Sequence, residues 1–583
     1  MAKADPPQTP PGADARPDPR AGSTAPERGA LEQQVSEASG ILERGWQLLR
    51  HKAPSQVSFW FIALAIGIAA SIAAVAFRAG VSLLQQTLYG VEDITLLHSY
   101  ATTLDWFIVL LIPMGGGLAV GLILHHFTPD GRVRSVADVI EGAALNDGRV
   151  ERRAGIASAF ASMITLGTGG STGREGPVVH IASLISTWVS NRLHADGITG
   201  RDLLGCAVAA AVSASFNAPI AGALFAMEVI LRHFALHAFA PIVIASAAGT
   251  VINRLVYGDV AEFALPGTAA IEFYLELPAY LILGLVCGLV AVVLMRSVFW
   301  ADDFESRLQN RLGLPHWLRP TLAGAVLGVT AIAFPHIIGV GYETTSRALT
   351  GQLLLHEALV FAAVKVFAVA VTMAGRMGGG IFSPSLMIGA LTGLAFGLIA
   401  TGIFPENSGS HTVYALAGMG AVAAAVLGAP ISTTLIVFEL TGDWQTGLAV
   451  MLSVSMSTAL ASRLVDRSFF LTQLERRGVH LAAGPQAYLL GMFRVAQVMR
   501  PWDDPTAPRE ERAWEMIEKG VYLDANATLE AAMPLFERAS VAFIPVVALR
   551  GDQPPELRGA LFHVDALKAY NRALAATAEE EHS

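Results

Sequence analysis

The chain has 583 residues; 53% are apolar before its 56 glycines are counted, while Asp, Glu, Lys and Arg together make 15%. Soluble domains carry roughly 25% charged residues, so this composition, with a mean hydropathy of +0.50, excludes a string of soluble domains and indicates an integral membrane protein. The balance of 39 basic against 48 acidic side chains, a net charge of −9, argues against nucleic acid as a partner.

Residues 1–28 hold Pro, Ala, Asp, Gly and Arg with little that could form a core, and are expected to be disordered. They lack the short apolar run and cleavage site of a signal peptide. Over 29–56, scattered Leu31, Val35, Ile41, Trp46, Leu48 and Leu49 predict an amphipathic cytoplasmic helix. Arg44, Arg50, His51 and Lys52 precede the first apolar run and favour a cytoplasmic N-terminus. Apolar segments follow at 57–84, 106–126, 154–166, 178–189, 203–212, 220–231, 239–256, 280–298, 318–334, 358–373, 386–403, 413–440 and 446–464. A perpendicular span takes about 20 apolar residues. Several segments are shorter or are broken by Gly and Pro, the pattern of transporters with discontinuous helices. Cys206 and Cys287 each lie in such a segment and read as small core residues, with no disulfide framework or zinc spacing.

An internal repeat runs through this region. Ala218-Pro219-Ile220 with Leu224 and Glu228 has the same spacing as Ala429-Pro430-Ile431 with Leu435 and Glu439. Each copy follows a glycine-rich loop that passes through a proline into an apolar helix, Gly169 to Pro177 and Gly375 to Pro384. Two matches in the same order point to duplication, and repeated halves with broken helices commonly place an ion site between them.

The stretch Gly173-Arg174-Glu175-Gly176-Pro177 has the make-up of an anion site. Proline suits the first turn of a helix, and the glycines before it leave main-chain N–H groups free at the positive end of the helix dipole. Glu175 at that terminus can occupy the site itself and yield to a mobile anion; alternatively it merely caps its helix. Gly378-Gly379-Gly380-Ile381-Phe382-Ser383-Pro384 has the same construction, read either as a second set of main-chain donors or as a break serving packing.

These residues resemble the CLC family of chloride channels and chloride/proton exchangers. Gly173 to Pro177 matches its GREGP motif, and Gly380-Ile381-Phe382-Ser383-Pro384 its GxFxP motif, over a resemblance covering roughly 57–478. The resemblance implies the CLC fold: two inverted-topology repeats of tilted, broken helices in a multi-pass α-helical membrane protein, and a homodimer with one pore per subunit. A bacterial inner membrane with both termini cytoplasmic is the implied location. Glu175 becomes the gating glutamate, Ile381 and Phe382 main-chain donors to the anion, and Arg174 and Gly176 neighbours in the anion-binding set. Chloride is the implied substrate, with other small anions possible in kind, and no cofactor or metal is implied.

Other landmarks depart from the family. Its GSGIP motif falls on Arg134-Ser135-Val136-Ala137-Asp138, where only Ser135 remains to touch an anion; Ser135 with Asp138 also fits a helix cap. Serine there accompanies chloride preference, and proline nitrate preference. The family's anion-facing tyrosine falls on Phe470, which has the ring without the hydroxyl and otherwise reads as an interfacial aromatic. The exchangers' inner acid follows the glutamate of the Ala-Pro-Ile segment; in the pair Glu228-Val229 that proton-pathway position is a valine.

Past Arg476 the composition turns charged. A strand at 521–523, helix 527–537, strands 541–547 and 558–563 and helix 565–574 predict a small α+β module within 479–583, ending in the solvated Glu579, Glu580 and Glu581. It resembles a single cystathionine-β-synthase (CBS) domain. Phe562 stands where a hydroxyl usually precedes the final aspartate, Asp565, which makes nucleotide binding doubtful and a dimer-supporting role the better reading. The whole indicates a channel-like chloride pathway gated by Glu175, with chloride/proton antiport as the alternative. A fluoride exporter departs from the retained proline, a CBS-containing cation carrier needs clustered acids on its helices, and an enzyme needs a nucleophile–base pair that does not stand out. A membrane receptor without transport fits poorly with two costly helix breaks.

Overall fold

The structure, a computed structural model, describes residues 25–582 except 92, 196, 235, 259–275, 406–407, 480, 482–489, 491–492 and 549–555. The tail expected at 1–28 lies outside the described residues as far as 24, as do the side chains of the amphipathic helix expected at 29–56. Two compact units divide the chain, Met1–Phe61 and Ile62–Ser583.

In chain order the helices are α1 (Ala25–Tyr89), α2 (Leu97–Ala101), α3 (Trp106–Phe127), α4 (Val136–Leu145), α5 (Arg152–Gly167), α6 (Glu175–Leu193), α7 (Gly197–Phe216) and α8 (Pro219–Phe225). A π-helical turn, Ala226–Leu231, then leads to α9 (Leu236–Tyr257), α10 (Leu277–Leu312), α11 (Arg319–Ala333), α12 (Tyr342–Leu349), α13 (Leu355–Ala374) and α14 (Phe382–Ile403). The membrane part closes with α15 (His411–Leu427), α16 (Pro430–Thr441), α17 (Trp444–Leu464) and α18 (Phe469–Arg476). Among the described residues seven helical stretches are long and apolar enough to cross a membrane, and their lipid-facing positions are large and apolar, such as Ile72, Val293 and Trp444. Most of the others are shorter, as the interrupted sequence pattern predicts, while α6 and α7 run 19 and 20 residues. The segment expected as one run at 413–440 is two helices, because Gly428 adopts φ 71° and Pro430 lacks the N–H that would continue α15.

The repeat is visible as reciprocal capping. Both oxygens of the Glu228 carboxylate, just past α8, accept from the Ile431 and Ser432 N–H groups at the start of α16, at 3.0 and 2.7 Å. The Glu439 carboxylate, near the end of α16, accepts from the Ile220 and Ala221 N–H groups at the start of α8, at 3.0 and 2.7 Å. Each helix's end therefore meets the other's beginning, so the two copies run antiparallel, as inverted halves must.

The soluble module holds β1 (Arg500–Pro501), β2 (Leu523–Asp524), β3 (Phe543–Ala548) and β4 (Glu556–Phe562) in the order β1-β4-β3-β2, with β2 parallel to β3 and the other pairs antiparallel. Helices α19 (Val495–Val498), α20 (Glu510–Glu518), α21 (Leu529–Ala539) and α22 (His563–His582) complete it. Leu529, Phe536, Ile544, Val546 and Leu561 form its core. The expected elements sit within a few residues of these. Strand β1 and helices α19 and α20 join the set, α20 with the single buried residue Ala513 and so a weak periodic signal, and the acidic end lies on the backbone of α22. The module packs on the membrane part within one compact unit: Arg494 pairs with Asp147 in the α4–α5 turn, and Arg232 lies 3.7 Å from Glu530. That turn also holds the far end of α6, since Arg149 donates to Asn191 Oδ1 at 3.0 Å and to the Ala195 carbonyl at 2.7 Å. Helix α6 therefore runs from Glu175 toward the side carrying the soluble module.

Candidate functional site

The two glycine-rich breaks meet directly. Gly173 and Gly380 exchange both main-chain hydrogen bonds at 2.7 Å, a two-residue antiparallel bridge between the halves. Thr172 Oγ1 donates to the Gly380 carbonyl at 2.9 Å, and Thr165 Oγ1 to that of Met377. Gly379, at φ 108°, admits no side chain, for a Cβ there would lie 2.1 Å from Thr172 Oγ1. The bridge brings the starts of α6 and α14 together, and with them Glu175, Gly176, Ile381 and Phe382, all buried.

Between those helix starts lies the Glu175 side chain. Its Oε1 accepts from Ser383 Oγ in the first turn of α14, while its Oε2 is buried without a hydrogen-bond partner. A Cβ on residue 173 would sit 2.5 Å from Oε2, so glycine there gives the carboxylate its room. The carboxylate thus occupies the positive end of a second helix, the place an anion would take. Phe382 is fixed edge-on against Phe216, with ring centroids 5.0 Å apart.

A cavity of about 330 Å³ adjoins this centre, lined by Ser135, Gly378, Gly379 and Asp302 and by Arg132, Arg376, Arg476 and Arg477, the last two at the end of α18. Ser135 is both a cap residue and a lining residue: its N–H donates to Asp138 Oδ2 at 2.7 Å, while its hydroxyl oxygen has no partner. Asp138 in turn pairs with Arg132 at 3.0 Å and Arg477 at 3.1 Å. Asp130, outside the membrane segments, is drawn two ways: burial favours its neutral form, but Arg134 and Arg132 outweigh it and hold the carboxyl below its ordinary range.

Arg174 faces elsewhere. It lines a smaller cavity of about 70 Å³ with Tyr342, His98 and Glu343, donates to the Ser215 carbonyl at 2.8 Å, and stacks over the Tyr342 ring at 5.5 Å. Phe470 is buried in the first turn of α18, which packs on α4, against Phe469 at 5.8 Å. Glu228 is at the α16 cap described above, and Val229 is buried in the π-turn. The structure thus groups Glu175, Gly176, Ile381 and Phe382, places Ser135 on the adjoining cavity, turns the guanidinium of Arg174, beside Glu175, into the smaller cavity, and puts Glu228 at the α16 cap with Val229 next to it. Sequence reasoning did not single out Ser383 or Arg376. A hydroxyl within a quoted motif and a basic residue two before the glycine run were the signals available.

The family model described as voltage gated chloride channel matches residues 116–462, more than half of the chain. A ClcB-like chloride channel protein of Ralstonia nicotianae is 31% identical over 396 residues, covering 67% of this chain and 91% of the relative. Among solved structures, a slow cyanobacterial Cl⁻/H⁺ antiporter superposes with a TM-score of 0.63 at 21% identity, over 72% of this chain and 97% of its own. A eukaryotic CLC transporter superposes with a TM-score of 0.62 at 18% identity, over 88% and 98%. With the paired helix breaks and the inverted halves of the fold, these matches make the chain a member of the voltage-gated chloride channel (CLC) family.

Proposed function

We propose that this protein carries chloride across a bacterial inner membrane through a passive pathway gated by Glu175. The carrying observation is the Glu175 carboxylate lodged at the start of α14 and held by Ser383 Oγ, where a permeating anion would bind. Chloride enters from the arginine-lined cavity past Ser135 and meets the main-chain groups of Ile381 and Phe382. Protonation or withdrawal of Glu175 opens the way. Replacing Glu175 by Gln or Ala removes the competing charge: chloride flux into vesicles is expected to stay high and lose its dependence on pH. Unchanged pH-dependent flux in E175Q places the gate elsewhere.

Val229 has no titratable group, and Phe470 closes its position without a hydroxyl; both support passive flow over proton exchange. Antiport is the second reading, and a chloride gradient across vesicles at equal pH, with voltage clamped by a potassium ionophore, separates the two. Sustained proton movement abolished by E175A would establish antiport. In the same reading 57–478 form the membrane domain of a homodimer, both termini are cytoplasmic, and 479–583 form a CBS-like domain that supports the dimer. The doubt about nucleotide binding is strengthened by Arg500, whose Nε donates to Asp565 at 2.6 Å while its guanidinium covers the Phe562 ring at 4.2 Å.

A further inference from the structure

His180 is fully buried on α6, and neither ring nitrogen has a hydrogen-bond partner. A neutral imidazole carries one donor and one acceptor, and leaving both unmet in the interior costs free energy that an apolar side chain of similar volume would not. The ring is accommodated by Gly155 of α5, where a Cβ would stand 2.6 Å from His180 Nε2. The charged and polar groups that bear on it come from each neighbouring element: Asp138 and the Ser135 main chain at the start of α4, Arg134 before them, and Glu151 ahead of α5. On its own helix the titratable neighbour is Glu175. At about 1.5 Å per residue the two are about 7.5 Å apart along the axis, with His180 on the soluble-module side.

The position is therefore intermediate. Ser135 lines the arginine cavity, Asp138 is paired to two of that cavity's arginines, and both bear on His180 from the start of α4, which packs on the helix that begins with Glu175. We propose that His180 passes protons between that cavity and Glu175, so that the gate is protonated from the soluble-module side by a route that bypasses Val229. The inference rests on Glu175 being the gate. In the step, an N–H of the imidazolium gives its proton, through bridging water, to Glu175 Oε2. The products are a neutral imidazole and a neutral carboxylic acid, and the imidazole is reprotonated from solvent in the cavity. Slow delivery of this kind sets how often a passive pathway opens and needs no fixed proton stoichiometry.

The test is chloride current in planar bilayers, with pH lowered on one side at a time and the soluble-module side identified by its protease sensitivity. The readout is the ratio of the two pH responses within each protein. Wild type is expected to respond to both sides. H180Q, and H180N as the smaller amide should Gln strain the packing on Gly155, are expected to lose the response to the soluble-module side and keep the response to the other. Either variant keeping the wild-type ratio overturns the proposal, and so does a wild type insensitive to pH on the soluble-module side. E175Q keeping both responses overturns the gate reading itself, and this inference with it; the His180 variants bear on the relay alone.

Discussion

A carboxylate that competes with an anion must be held firmly enough to close the path and loosely enough to leave it. In the proposed gating the side-chain hydrogen bond that holds Glu175 is one hydroxyl, Ser383 Oγ, on one of its two oxygens. A hydrogen bond to a charged group contributes about 1.5–3 kcal/mol, so S383A is expected to shift the gate toward open by about tenfold or more. Chloride flux from vesicles at neutral pH should rise accordingly, and a flux equal to wild type would show that the closed state is held by something else.

At the scale of the element, the notable use of carboxylates is at the crossed caps of α8 and α16. Each helix is too short to be stable alone, and each begins with a proline that leaves the next two N–H groups facing a glutamate from the other repeat. Substituting Glu228 or Glu439 by Gln keeps the shape and weakens two charge-assisted contacts. Each is expected to lower stability by about 1–2 kcal/mol, read as a fall in thermal midpoint in detergent. Because the two caps are related by the repeat, the losses should be similar. A large difference would mean that only one of them is structural.

At the scale of the whole molecule, the soluble module is fastened to the membrane part near the far end of α6. Glu530 of α21 is buried against Arg232, and E530A leaves that arginine without its carboxylate. A partly buried pair of this kind should cost about 1–3 kcal/mol and make the module more readily released by limited proteolysis. His233 beside it lies outside the membrane segments, and burial lowers its pKa from 6.5 to about 4. The folded imidazole thus resists a proton that the unfolded chain accepts. Stability is full above pH 6.5 and falls as pH drops from there toward about 4, by about 1–3 kcal/mol. H233Q should flatten the pH dependence of the thermal midpoint across that window; a curve as steep as wild type would assign the effect to other groups.

The sequence by itself determined the membrane class, the broken helices and their repeat. Apolar length, glycine and proline act locally, on the residues that carry them, so Gly173 to Pro177 and Gly380 to Pro384 announce their helix starts without any partner. It also determined the α+β character of the soluble module, where alternation and turn residues are again local. Only the tertiary structure decided which groups face one another. Nothing in the spacing of 208 residues between Glu175 and Ser383 says that they touch, because contact depends on how two halves pack. The same holds for Arg174, next to Glu175 in the chain but turned into a different cavity, since consecutive residues leave a helix start in different directions. Glu228 looks from the sequence like half of a proton pathway and in the fold caps α16. Chain order carries conformational preference; orientation and burial come from packing at long range.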